Sequence, residues 1–491
     1  MKQPKDRFVL QLRLEPTLED ELVLYKRFRL ANHIYNVMVK EAKKRIHKLR
    51  RDKEYQDIMA HLSQSKGKYR PGDKQRLREL TLFYGLSEYH FHAYVDAGQS
   101  QYKDNIDAFT RQKIATHVWQ ATADYLFHNG KVIHFHKLKN IKSVEGKSNA
   151  SGIRYKKNRL HWLGLDIPVR IKDKDDYARL CLKHDVAYSR IVRRWHKHKY
   201  RYYLQLVLKG APPQKYPLDA HDMTKVGIDI GPSTVACVSN KGCILTELGS
   251  DIDKIDDELY RLNRRLDRQR RANNPDNYNE DGMIRRNTKG FNRVWKTSRR
   301  QQLTQDKIKE LYAKRAAKLK QSHNELANRI LSLGSDIYIE DMNIQGLAKR
   351  SQKTEISETT GTYKRKKRFG KSVSNHAPFM LMTIINNKLK VIERDICKVS
   401  TYDTKLSQLN HITGEYIKPL LSERWKEIGG HSVQRDLYSA FLLAHMETQN
   451  TVDIDGCFDD FAQFIINHDK TIQSLRKEKQ EGRQFPSCMG I

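Results

Sequence analysis

Three acidic residues stand in surroundings where ordinary surface carboxylates are not found. Asp229 falls within KVGIDIGPSTVACVSN (225–240), which reads as a strand, a glycine turn and a second strand, with the acid inside an otherwise apolar run. Burying a carboxylate there costs several kcal/mol unless a cation or hydrogen bonds compensate it, and metal ligation is the obvious compensation. Glu340 ends the short apolar strand of DIYIEDMNIQGL (336–347). A carboxylate at that point reaches the sheet's edge, where a hard cation can take oxygen ligands and keep its waters. Glu340 is preferred to Asp341 because it continues the strand and points to the opposite face from its neighbour. Asp436, in VQRDLYSAFLLAHM (433–446), precedes a helical stripe of Leu437, Ala440, Phe441 and Ala444. Taken singly, each acid has another reading. Asp436 suits a helix start as a simple charge, and a D-x-G strand turn also occurs in actin-like ATPases.

The elements that must position these acids divide the chain into parts. At 491 residues it is too long for one core, because single cores stop growing near roughly 250–300 residues. Strand candidates occur at Phe8–Leu14, Val132–Lys137, Arg159–Leu165 and Tyr200–Leu208, with a long basic helical stretch between the first and second. This predicts a β-barrel over 1–18 and 130–215, interrupted by a helical insertion over 19–129. After a linker with three prolines near Ala211, an α/β domain is expected over 216–400, with a basic helical insertion at 252–333. A small insertion over 401–432 and the rest of the α/β domain over 433–491 complete the division.

Charge narrows the partners. The chain carries 92 Lys and Arg against 58 Asp and Glu, a net +34, and such a field calls for a polyanion. No apolar run approaches the roughly 20 residues of a membrane span, and MKQPKDRFVL lacks the apolar stretch of a signal peptide. Nucleic acid in a cytoplasmic setting is therefore expected, with no membrane partner. The six cysteines are scattered without a C-x-x-C pair, as suits reduced thiols. In RRWHKHKYRYY (193–203), cations alternate with rings, and Arg193, Arg194, Trp195 and Lys199 are candidate RNA contacts; a hairpin with its rings in the core is the plainer reading. Arg264, Arg265 and Arg268 on the cationic helices could follow a duplex backbone or form a solvated face. Lys364, Lys366 and Lys367 belong to KRKKRFGK (364–371), in a Ser/Thr-rich loop that could contact a strand.

Taken together and in this order, the three acidic segments resemble the RuvC motifs of the TnpB family of transposon-encoded RNA-guided nucleases and of the related compact type V CRISPR effectors. The similarity is clear over about 225–446 and looser upstream, where the barrel and its insertion resemble wedge and recognition regions. The resemblance implies an RNase H-like RuvC nuclease domain in which Asp229, Glu340 and Asp436 bind two magnesium ions for phosphodiester hydrolysis. It also implies a guide RNA and a double-stranded DNA target with a short flanking motif. An RNA-guided DNA-binding repressor and a guide-independent RNase H-like transposase or resolvase are the alternatives. The chain departs from the family at 401–432, where many relatives carry a four-cysteine zinc ribbon. Leu406 and Leu409 stand in place of the first cysteine pair, so an apolar remnant without zinc is expected, with Trp425 contributing. His411 and His431 are expected at the surface.

Overall fold

The computed structural model describes residues 7–491 apart from 66, 99–101, 129, 197–198, 215–217, 289, 344–345, 347–348, 350–355, 357–368 and 421. The chain divides into two compact units, Met1–Pro213 and Gln214–Ile491, with the boundary inside the proline-bearing linker. Among the described residues no helix is long and apolar enough to cross a membrane.

In the first unit, strand β1 (Arg7–Leu14) buries Phe8, Leu10, Leu12 and Leu14 on one face, as period-two alternation requires. A helical block follows: α1 (Leu18–Arg51), α2 (Lys53–Gln64), α3 (Asp73–Phe83), α4 (Glu88–Ala97) and α5 (Ala108–Phe127). A capping box starts α1, with Thr17 and Asp20 each accepting the other's backbone N–H. Then come β2 (Ser143–Glu145), β3 (Arg154–Lys156), β4 (Arg159–Trp162), β5 (Leu165–Arg170), α6 (Asp176–Cys181), β6 (Val186–His196) and β7 (Lys199–Lys209). The seven strands form one antiparallel sheet in the order β2-β6-β7-β1-β5-β4-β3. Because β3 also approaches β6, the sheet curls. Its edge strands β2 and β3 are not hydrogen-bonded to each other, so a curled sheet stands where the sequence predicts a barrel.

Val132–Lys137 is not a strand. The Asn36 side chain takes its backbone instead: Nδ2 donates to the His136 carbonyl (2.9 Å), and the His136 N–H donates to Oδ1 (2.8 Å). The His136 ring also stacks on Tyr35 at 3.9 Å. Side-chain bonds of this kind satisfy an irregular segment as well as a ladder would.

In the second unit, β8 (Lys225–Ile230), β9 (Thr234–Ser239) and β10 (Gly242–Glu247) form an antiparallel run. Helices α7 (Asp253–Asn273) and α8 (Arg299–Leu333) lead to β11 (Asp336–Glu340). Next come α9 (Phe369–His376), α10 (Pro378–Leu389), β12 (Cys397–Val399) and α11 (Thr401–Thr404). β8, β11 and β12 are parallel, and the sheet order is β10-β9-β8-β11-β12. The chain ends with the hairpin β13 (Trp425–Ile428) and β14 (His431–Gln434), then α12 (Arg435–Ala444) and α13 (Ile454–Gln480). Alternation sorts the sheet's two faces. Val226, Ile228 and Ile230 pack with Leu326, Ile330, Leu381 and Ile385 of α8 and α10, whereas Ala236 and Val238 pack with α12 and α13. A seam of Ile255, Leu259, Ile308 and Leu311 joins α7 to α8, and Arg264, Arg265 and Arg268 lie exposed on α7.

Over 401–432, Leu406 and Leu409 are buried in the same core as Val433 and Leu437, with Trp425 packed against it. Gly429 and Gly430 turn the β13–β14 hairpin with φ of 56° and 76°, a pair that β-carbons would strain. His431 is exposed, but His411 is not: only 2% of it is accessible, against the expectation of a surface residue. Its N–H donates to the Tyr438 hydroxyl (3.1 Å), its Nδ1 lies 2.8 Å from the same oxygen, and Phe441, Phe458 and Phe461 surround the ring. Burial, with a smaller contribution from His445, pushes its pKa down to about 4. The unfolded chain takes up this proton near pH 6.5 and the folded chain only near 4, so stability is full above the first value and drains away below it. Acidification across that window should cost about 3 kcal/mol through this residue. Denaturant titrations at pH 7 and 4.5 measure the loss, and His411→Phe should shrink it.

Candidate active site

Asp229 and Glu340 lie side by side at the carboxyl ends of neighbouring parallel strands, since Ile228 of β8 pairs with Ile339 of β11. With Val226, Ile228 and Ile230 turned toward α8 and α10, alternation turns Gly227 and Asp229 toward α12. Gly227 is what brings α12 so close. A β-carbon there would meet the Ala440 carbonyl oxygen at 1.9 Å and the Ala444 nitrogen at 2.5 Å. One helical turn before Ala440 stands Asp436, a rise of about 6 Å. Two strand residues after Gly227 stands Asp229, an advance of about 6.7 Å. The charge of Asp436, one turn before Ala440, reaches Asp229.

The Asp229 carboxyl is raised well above the usual carboxylate range, first by burial, then by the charges of Asp436 and Glu340, with Arg435 opposing. Asp229 keeps some accessible surface even though protein atoms crowd its carboxyl. Burial also raises Glu340. Asp341, by contrast, is exposed and pairs with Lys398 at 2.9 Å.

Asp436 is held from two sides. Arg435 approaches its Oδ1 at 3.4 Å while donating to the Glu423 carbonyl at 3.0 Å. Gln434 caps the helix, its Oε1 accepting from the Leu437 N–H (2.8 Å) and its Nε2 reaching Asp436 Oδ2 (3.4 Å). The Gln434 N–H donates to Nε2 of buried His468, whose Nδ1 lies 2.8 Å from Asp469. Sequence reasoning passed over Gln434, His468 and Gly227. Gln434 and Gly227 adjoin the acidic motifs, whereas His468 carries no local signal.

Among the described residues no three His, Cys, Asp or Glu side chains converge closely enough to hold a metal ion as they stand. The donor set nonetheless suits a hard divalent cation: three carboxylates, one of them disfavoured as an anion by burial and by the other two.

Of the other candidates, Arg193 is interior. Its guanidinium lies between Phe28 and Tyr200, at 4.6 and 4.5 Å, and donates through Nε to the Ile141 carbonyl (2.9 Å) and through Nη2 to that of Leu138 (2.5 Å). That cation is spent tying α1 to the sheet and is not a surface contact. Arg194, Trp195 and Lys199 are exposed, with Arg194 donating to Gln11 at 2.6 Å. Lys364, Lys366 and Lys367 lie outside the described residues.

The residues thus define a mixed α/β protein with two acids, Asp229 and Glu340, at adjacent ends of parallel strands. No family model matches the chain, and no curated protein does. Among solved structures, a Cas12f1–sgRNA–target DNA complex is similar at 11% identity and a TM-score of 0.44, covering 87% of this chain and 83% of that one. A CRISPR–Cas12f ternary complex is similar at 12% identity and a TM-score of 0.26, covering 88% and 83%.

Proposed function

We propose that this chain is an RNA-guided DNA endonuclease, cutting through a single RuvC-like centre built on Asp229, Glu340 and Asp436. The observation that carries the reading is the placement of Asp229 and Glu340 at adjacent ends of parallel strands, with Asp229 buried and opposed by the charges of Asp436 and Glu340. The sheet order supports it as well: three antiparallel strands followed by two parallel ones, the first strand central, is the RNase H-like arrangement. Two magnesium ions bound by these acids would supply the Lewis acidity that activates water and stabilises the leaving oxygen of a phosphodiester. The protein's part is to bring Asp229 and Glu340 to adjacent strand ends, fix Asp436 through Gln434 and Arg435, and offset part of their charge with Arg435. A guide RNA that pairs with the target strand accounts for much of the net +34.

Sequencing RNA that copurifies with the protein tests the guide. One abundant noncoding species with a constant scaffold is expected, and its absence would favour a guide-independent resolvase or transposase. Target affinity should fall by about tenfold or more when salt is doubled from 100 to 200 mM, because each neutralised phosphate releases counterions; filter binding at several salt concentrations reads the slope. The region of Leu406 and Leu409 is held by packing, so purified protein should contain no stoichiometric zinc by elemental analysis. Leu406→Ala should cost about 2–5 kcal/mol in chemical denaturation, the usual range for emptying a buried leucine site.

A further inference from the structure

Beside the acid centre, on the α10 side of the sheet, lies a cavity of about 530 Å³ that Glu340 itself helps to line. Ile230 and Ile339 of the sheet and Phe379 and Met382 of α10 are among its lining. Phe379 is 70% exposed, an aromatic ring displayed to solvent rather than packed. Asn386 lines it as well. Its Oδ1 accepts from the Ile396 N–H at 3.1 Å, which orients the amide, and its Nδ2 finds no acceptor among the described residues. At the rim, Lys398 is paired with Asp341, and Lys390 faces the same opening as Asp395. On the other side of Phe379 a second groove runs past Thr383 and Asn387 to Lys320.

In a lining that mixes apolar side chains with polar and charged ones, the exposed Phe379 ring and the oriented Asn386 amide match the two recognisable parts of a nucleobase, its π-face and its edge. The volume falls in the range of small-ligand pockets and admits a whole nucleoside. We infer that this cavity receives one unpaired base of the DNA strand being cut, with Phe379 stacking on it and the Asn386 amide donating to a ring acceptor. The inference rests on the nuclease reading for its occupant, because a phosphodiester held at Glu340 places its neighbouring nucleoside next to this opening. Lys320 and the second groove give the strand a way onward. Phe379 and Asn386 are positioning residues, aligning the strand rather than touching the reacting atoms.

Two measurements test this, and they fail separately. In the first, a single-stranded oligonucleotide containing 2-aminopurine is titrated with protein in the absence of magnesium. Its fluorescence should be quenched by wild type, left unquenched by Phe379→Ala and quenched again by Phe379→Trp; equal quenching by wild type and Phe379→Ala, or none by wild type, overturns the base site. Because Phe379 is exposed, its replacement should leave the fold intact. In the second, guide-loaded protein cuts targets carrying an abasic nucleotide at successive positions around the cut. One position next to the cut should slow wild type by about tenfold and have no further effect on Phe379→Ala, itself slowed by about tenfold. An equal abasic penalty in both proteins contradicts the inference. Quenching that depends on Phe379, without guided cleavage, would leave the base site standing and remove the nuclease reading.

Discussion

Replacing Asp229, Glu340 or Asp436 with alanine, one at a time, should each lower DNA cleavage by at least about 10³-fold while leaving guide and target binding within a few-fold of wild type. The three are expected to act as one unit, so a double variant should be little worse than a single one. The electrostatic reason lies in Asp229, whose carboxyl is opposed by burial and by both other acids. Removing a neighbour relieves that repulsion, so Glu340→Ala should not lose stability as a broken ion pair would, whereas Asp436→Ala also gives up the Arg435 contact at 3.4 Å. Cleavage rates measured beside melting temperatures separate the two effects. An alanine variant that cuts at a wild-type rate would remove that residue from the centre.

The second large effect concerns a residue with no side chain. Gly227→Ala puts a methyl group 1.9 Å from the Ala440 carbonyl oxygen and 2.5 Å from the Ala444 nitrogen, both backbone atoms that no rotamer change can move. Helix α12 must therefore retreat from β8, breaking packing around Leu443 and the buried face of the helix. Overpacking of this severity belongs among the exceptional single substitutions, at about 4 kcal/mol or more. Where the variant still folds, the helix carries Asp436 away from Asp229, and a displacement near 1 Å costs about 10²-fold in rate. Gly290→Ala is the control, since nothing lies within 4 Å of its would-be β-carbon. Wild-type melting and cleavage by Gly227→Ala would mean that α12 does not lie on β8 in this way.

Local pattern carried much of this structure. The strand–turn–strand around Asp229, the strand ending at Glu340 and the helix after Asp436 all stand where apolar periodicity puts them. What escaped depends on partners remote in the chain. Val132–Lys137 has strand composition, but Asn36, about a hundred residues earlier, takes its hydrogen bonds. Arg193 reads as a free cation because the two rings and two carbonyls that enclose it come from separate segments. His411 reads as a polar surface residue until Tyr438 and three phenylalanines are folded around it. The cavity beside Glu340 has no signature at all, being made by β8, β11 and α10 only once they pack.

Guided cutting is the most direct test of the whole account. The RNA that copurifies with the protein is reprogrammed to a chosen sequence, and cleavage of matched and mismatched duplexes is followed with and without magnesium, using wild type and Asp229→Ala. The account predicts cutting of the matched duplex alone, only with magnesium and only by wild type. Cutting that ignores the guide, or that persists in Asp229→Ala, would contradict it.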